Sequence, residues 1–226
     1  TDMGQPKLNS NELTKRLAWV CVAMLAAQVL GTAFNIYYNL THIKPLLSEA
    51  ERSRFGIAIA WFNGLVYPPL LAVWAWTVFS LRKLPPNGDG ARRRVVNLPW
   101  LGTSIAAAGW LLCAPILMWA MRDVGDRSVL VYLPISVMIG TLITLTQSFL
   151  AIDLLSQKLL YAHFFQNSSP WKTEGTHPLS LTGRGMFWTV SAGICPTLAM
   201  LLLILSPNTS ESMVPFAISI ALVCIG

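Results

Sequence analysis

Between Leu130 and Ile152 the chain runs 23 residues without a charge. As a helix, a run of that length crosses a hydrocarbon core of about 30 Å. The apolar pattern does not stop there: it meets Asp153 and continues as LLSQKLLYAHFF before breaking at Asn167–Pro170. Taken as one helix, Leu130 to Phe165 is about 54 Å long. One end therefore stands outside the lipid, and it carries Asp153, Lys158 and His163.

The rest of the chain fits the same solvent. Apolar residues make up 54% and charged residues 12%, with a mean hydropathy of +0.55; soluble domains carry about 25% charge. An all-α, polytopic membrane bundle follows, with the lipid bilayer as its first partner. The net charge of +6 does not point to nucleic acid, because the basic residues sit in the connections beside the spans. Cys21, Cys113, Cys195 and Cys224 each stand alone in apolar segments, as small buried hydrophobes do.

Six spans are expected. The first runs from about Leu17 to Tyr38 after a polar N-terminal lead (residues 1–16), and closes on FNIYYN. Gln28 and Asn35 lie at membrane depth within it and are expected to face other helices. Ser48–Glu51 has the spacing of a capping box and opens the helix of the second span, about Gly56–Leu81. There Gly56, Ala60 and Gly64 form a stripe that lets another helix approach closely, and Pro68 and Pro69 remove two backbone donors in mid-span. The third span, about Trp100–Met121, contains Pro115. The fourth begins near Val129 and extends to about residue 165. A loop over 166–184 leads to the fifth, about Gly185–Leu205, which contains Pro196. The sixth starts near Met213 and is cut short at Gly226; its fourteen residues span about 21 Å, so the polypeptide is expected to continue. Pro68, Pro69, Pro115 and Pro196 are candidate hinges.

With the N-terminus cytoplasmic, eleven Lys and Arg fall on its side and five on the other. That asymmetry places the N-terminus, the end of the fourth helix and the 166–184 loop in the cytoplasm.

The residues suggest little chemistry. Asp153 is the one acid in or near a span; it reads either as an ion or switch site or as the partner of Lys158 or a nearby Arg. The histidines lie in connections or at helix ends, His163 on the expected surface of the extension. No two share a face at ligand spacing. Trp61, Trp74, Trp76 and Trp110 lie deeper than the other tryptophans and read as packing or lipid-facing rings. No nucleophile triad, phosphate loop or metal cluster is present, and no cofactor is expected.

The layout resembles the membrane region of bacterial class III adenylate/guanylate cyclases, in which six transmembrane helices precede a HAMP domain. The resemblance rests on FNIYYN closing the first span, FLAIDLLSQKLLYAHFF ending the fourth, PLSLTGRGMFW entering the fifth, and CPT within it. Asp153 stands where that family leads one to expect glutamate. The resemblance implies an inner-membrane anchor and sensory domain that dimerises and signals to a cytoplasmic output domain. It makes Asp153 and Arg184 coupling residues, and Gln28, Asn35 and Asn63 buried interhelical contacts. Two other classes fit the residues: a small transporter or transport subunit, whose Ala23, Ala27 and Gly31 stripe docks a partner, and an accessory subunit of a larger membrane complex.

Overall fold

The computed structural model describes residues 9–86, 88–166, 169–170, 173–176 and 179–206. Among them the chain is all-helical. Five helices are long and apolar enough to cross a membrane: Ser10–Leu46, Glu49–Lys83, Asp89–Ala120, Val129–Phe164 and Leu181–Leu205. Five such helices are what an integral, multi-pass membrane protein requires. The expected sixth span lies outside the described residues.

Helix α1 (Ser10–Tyr38) starts at an Asn9 cap, so the end of the expected lead is helical. It is also packed. Leu13 and Leu17 are buried in one apolar cluster with Leu160 and Phe164. Helices α2 (Glu49–Trp61) and α3 (Tyr67–Phe79) form the second span, α4 (Asp89–Ala120) the third, and α5 (Val129–Leu155) with α6 (Tyr161–Phe164) the fourth. Helices α7 (Leu181–Thr189) and α8 (Cys195–Leu205) form the fifth. The fourth span does reach Phe164, but it does not protrude alone, because α1 and α4 begin early enough to accompany it.

Four segments wind more widely, as π-helix: Asn39–Ile43, Phe62–Val66, Ser156–Leu160 and Val190–Ile194. Three of the four precede a proline, and at one spacing: Pro45, Pro68 and Pro196 each stand two residues past the segment's end. A proline ring clashes with the carbonyl four residues back, and the wider turn moves that carbonyl away. Pro68–Pro69 and Pro196 therefore sit in the first turn of a fresh α-helix. Pro115 differs, lying inside an α4 that stays α-helical around it.

Helix α5 is the axis of the bundle. Half of an 18-residue apolar stretch of its span is buried, against 11% for the corresponding stretch of Glu49–Lys83. Two glycines bring its neighbours close. A β-carbon on Gly31 would overlap the Thr144 hydroxyl and come 2.7 Å from the Gly140 carbonyl oxygen, while one on Gly102 of α4 would collide with Ile152. The Ala23, Ala27 and Gly31 stripe is thus buried within the bundle and does not serve an outside partner. The Gly56, Ala60 and Gly64 stripe is exposed, and nothing lies within 4 Å of a β-carbon on Gly56 or Gly64.

Each end of the bundle is tied differently. At the basic end, Arg16 Nη1 donates to the Leu159 carbonyl and Arg92 Nε to the Phe164 carbonyl, both at 3.0 Å. Cations on the last carbonyls of a helix are favoured by its dipole. At the other end, the capping box at Ser48 and Glu51 forms. The Glu51 carboxylate also accepts from Gly125 N at 2.8 Å, fastening α2 to the turn before α5.

Candidate functional site

The face that α5 turns toward the fifth span carries Thr146, Gln147, Phe149 and Asp153, spaced near three and four residues and so on one side, and Gln157 in the π-helical turn that follows continues it. The fifth span answers with Arg184, Phe187, Ser191 and Cys195 at similar spacing. Its start is fixed by Ser180, whose hydroxyl accepts from Gly183 N at 3.1 Å. Antiparallel packing brings the two rows together rung by rung.

The rung nearest the basic end is an ion pair. Arg184 Nε lies 2.9 Å from Asp153 Oδ2, with the two side chains 23% and 11% exposed. Gln157 Nε2 donates to the same oxygen at 2.8 Å. Removing a carboxylate from water is costly unless it is paired and hydrogen-bonded, and Asp153 has both kinds of partner. The next rung is aromatic: Phe149 and Phe187 stack with centroids 4.3 Å apart, and Trp100 of α4 meets both edge-on. Beyond it Gln147 Nε2 donates to Ser191 Oγ at 2.6 Å, and the Thr146 hydroxyl lies 4.0 Å from Cys195 Sγ.

Asp153 and Arg184, read separately from the sequence, thus meet each other. Of the two partners considered for Asp153, an arginine takes the place and Lys158 stays exposed. Sequence reasoning missed Gln147, Phe149, Phe187 and Ser191. Gln147 alone left a signal, as an amide inside an otherwise apolar span.

The three amides separate. Gln28 is buried, and its Oε1 accepts from the Tyr67 hydroxyl and, at 3.0 Å, from Trp110 Nε1, joining α1, α3 and α4. Asn35 Nδ2 donates to the Ser136 carbonyl of α5 at 3.1 Å. Both are interhelical contacts. Asn63 is not: it is exposed, and its Nδ2 donates at 2.9 Å to Ile59 O, one turn back on its own span. Its amide borders residues of the first and third spans without a hydrogen bond to either among the described residues.

Two other expectations change. His163, expected at the surface, is 7% exposed and edge-on to Phe164 at 4.8 Å, because α1 and α4 extend alongside it. The deeper tryptophans divide: Trp74 and Trp110 are buried, Trp61 and Trp76 are exposed. Among the described residues no group of three or more His, Cys, Asp or Glu is placed to hold a metal ion.

Searches against protein-family models, curated proteins and solved structures find no match to this chain.

Proposed function

We propose that this bundle is a membrane anchor and sensory domain that dimerises and passes a change in helix packing to a cytoplasmic output domain. The observation that carries the reading is the Asp153–Arg184 pair at 2.9 Å. It links the axial helix to the start of the fifth span through a contact that can break and re-form, unlike a glycine contact. A two-state element biased by such a contact is how small shifts in packing become signals. Gln147–Ser191 and the Phe149–Phe187 stack extend the joint, so that movement of Arg184 is felt along the fifth span.

The remaining parts of the proposal rest on sequence. The charge asymmetry of the connections supports a cytoplasmic N-terminus and basic end. The resemblance to six-helix cyclase anchors supports a bacterial inner membrane, a homodimer, and a nucleotide cyclase as the output. The proline positions 68, 69, 115 and 196 are hinges in this reading, with 68 and 196 the more mobile because each follows a π-helical turn.

The test is cyclic-nucleotide production by membranes containing the full polypeptide, compared with Asp153→Asn and Arg184→Gln. Both variants are expected to move output in the same direction. Unchanged output in both contradicts coupling through the pair. Absence of cyclic nucleotide from every form contradicts the cyclase assignment.

A further inference from the structure

The fifth span is held unequally along its length. No residue of α7 is buried, whereas α8 buries Cys195, Pro196, Ala199, Leu202 and Leu203. Leu181, Met186 and Trp188 of α7 are all more than half exposed. What fastens α7 is a pair of side-chain contacts: Arg184 on Asp153, and Phe187 against Phe149 and Trp100. The far end of α8 is fastened by polar bonds as well as by burial. The Tyr132 hydroxyl of α5 donates at 2.9 Å to the Leu205 carbonyl, one of the last carbonyls that a helix leaves unpaired. The next residue, Ser206, is hydrogen-bonded through its hydroxyl to that of Tyr38 on α1.

Between the two halves the backbone is at its weakest. Val190–Ile194 winds as π-helix. Helices kink at prolines and at π turns, and both meet here. Pro196 removes a backbone donor. Gly193 brings no side chain to brace the turn, and nothing lies within 4 Å of a β-carbon placed on it. Moving α7 strips little covered surface from the bundle and costs one ion pair and one ring cluster. Moving α8 uncovers its buried residues and breaks both tyrosine bonds.

We infer that the fifth span bends at Val190–Ile194: α7 is an arm that swings there, and α8 stays fixed against α1 and α5. The inference rests on the joint proposed above, in which Arg184 can leave Asp153, and places its motion in the half of the span at the basic end. The Gln147–Ser191 bond stands at the pivot, so a displacement of Arg184 reaches Ser191 and ends there. The bend takes up movement at one end of the span and does not relay it to the other.

The experiment is pulsed electron–electron distance measurement on the full chain in lipid, with the native cysteines replaced and labels at outward-facing positions. Leu154→Cys with Trp188→Cys reports α7, and Trp119→Cys with Ile204→Cys reports α8; all four side chains are exposed. Two distances are expected for the α7 pair and one for the α8 pair. Two variants stiffen the pivot. Pro196→Ala restores a backbone donor, and Gly193→Ala restricts the backbone where a β-carbon has room. Each is expected to lower the population of the longer α7 distance about fivefold, the effect of one glycine's worth of helix propensity, and to leave the α8 distance unchanged. Gly193→Ala disturbs no packed contact, so it remains informative if Pro196→Ala repacks α8. Two distances for both pairs, in equal proportions, would mean that the span moves as one body; that overturns the bend and leaves the proposed joint standing. One distance for both pairs overturns the bend and the joint together. An α7 population unmoved by either pivot variant overturns the bend.

Discussion

The two flanks of α5 are built from different materials. Toward α1 the contact runs through backbone: Gly31 sits against Thr144 and the Gly140 carbonyl, and Asn35 bonds to the Ser136 carbonyl. Toward the fifth span it runs through side chains: Asp153 with Arg184, Phe149 with Phe187, Gln147 with Ser191. Close backbone contact has essentially one arrangement, because any shift meets hard atoms. Paired side chains have rotamers, and an ion pair or amide bond can exchange partners at modest cost. In the signalling role proposed, α1 with α5 and α4 is the fixed half and the fifth span the half that can be adjusted.

The strongest way to break this contrast is Gly31→Leu. Side-chain volume there has nowhere to go, and destabilisation of about 3 kcal/mol or failure to assemble is expected, read from unfolding in mixed micelles. A mild effect would mean the α1 flank also yields. Next comes Asp153→Leu, which strands Arg184. A loss of about 2 kcal/mol is expected, below the figure for wholly buried pairs because Arg184 keeps some water. Adding Arg184→Leu should recover most of that loss, and a double-mutant cycle on the same unfolding assay checks it. Smaller still is Asn35→Leu, at about 1 kcal/mol, the usual scale for one interhelical hydrogen bond in a membrane. The smallest effect belongs to Asn63→Leu, within about 0.5 kcal/mol, since that amide bonds only to its own span. Equal losses at 35 and 63 would erase the distinction drawn between them.

That distinction marks where sequence reading succeeds and where it stops. The positions of five spans, the extension to Phe164 and the capping box at Ser48 were legible, because length, charge and local spacing determine them. The direction in which an amide faces was not. A soluble helix advertises its buried side by amphipathicity, but a spanning helix is apolar all round, so Gln28 and Asn63 look alike until the neighbours are known. His163 misled for a related reason: polar flanks suggested solvent, while α1 and α4 in fact reach as far. Asp153 and Arg184 were each legible as charges near a span. Their pairing depends on the antiparallel register across the connection between them, which neither local pattern encodes.

The central claim is that the fifth span moves against α5 while α1 does not. It is tested most directly by pulsed electron–electron distance measurements in lipid, with spin labels on exposed positions and the native cysteines replaced. Leu154→Cys paired with Trp188→Cys reports the α5–α7 flank, and Leu154→Cys paired with Trp19→Cys the α1 flank; all three side chains are outward-facing. The account predicts two distances for the first pair, whose proportions change in Asp153→Asn, and one narrow distance for the second. A single narrow distance for the first pair, unmoved by Asp153→Asn, would contradict it.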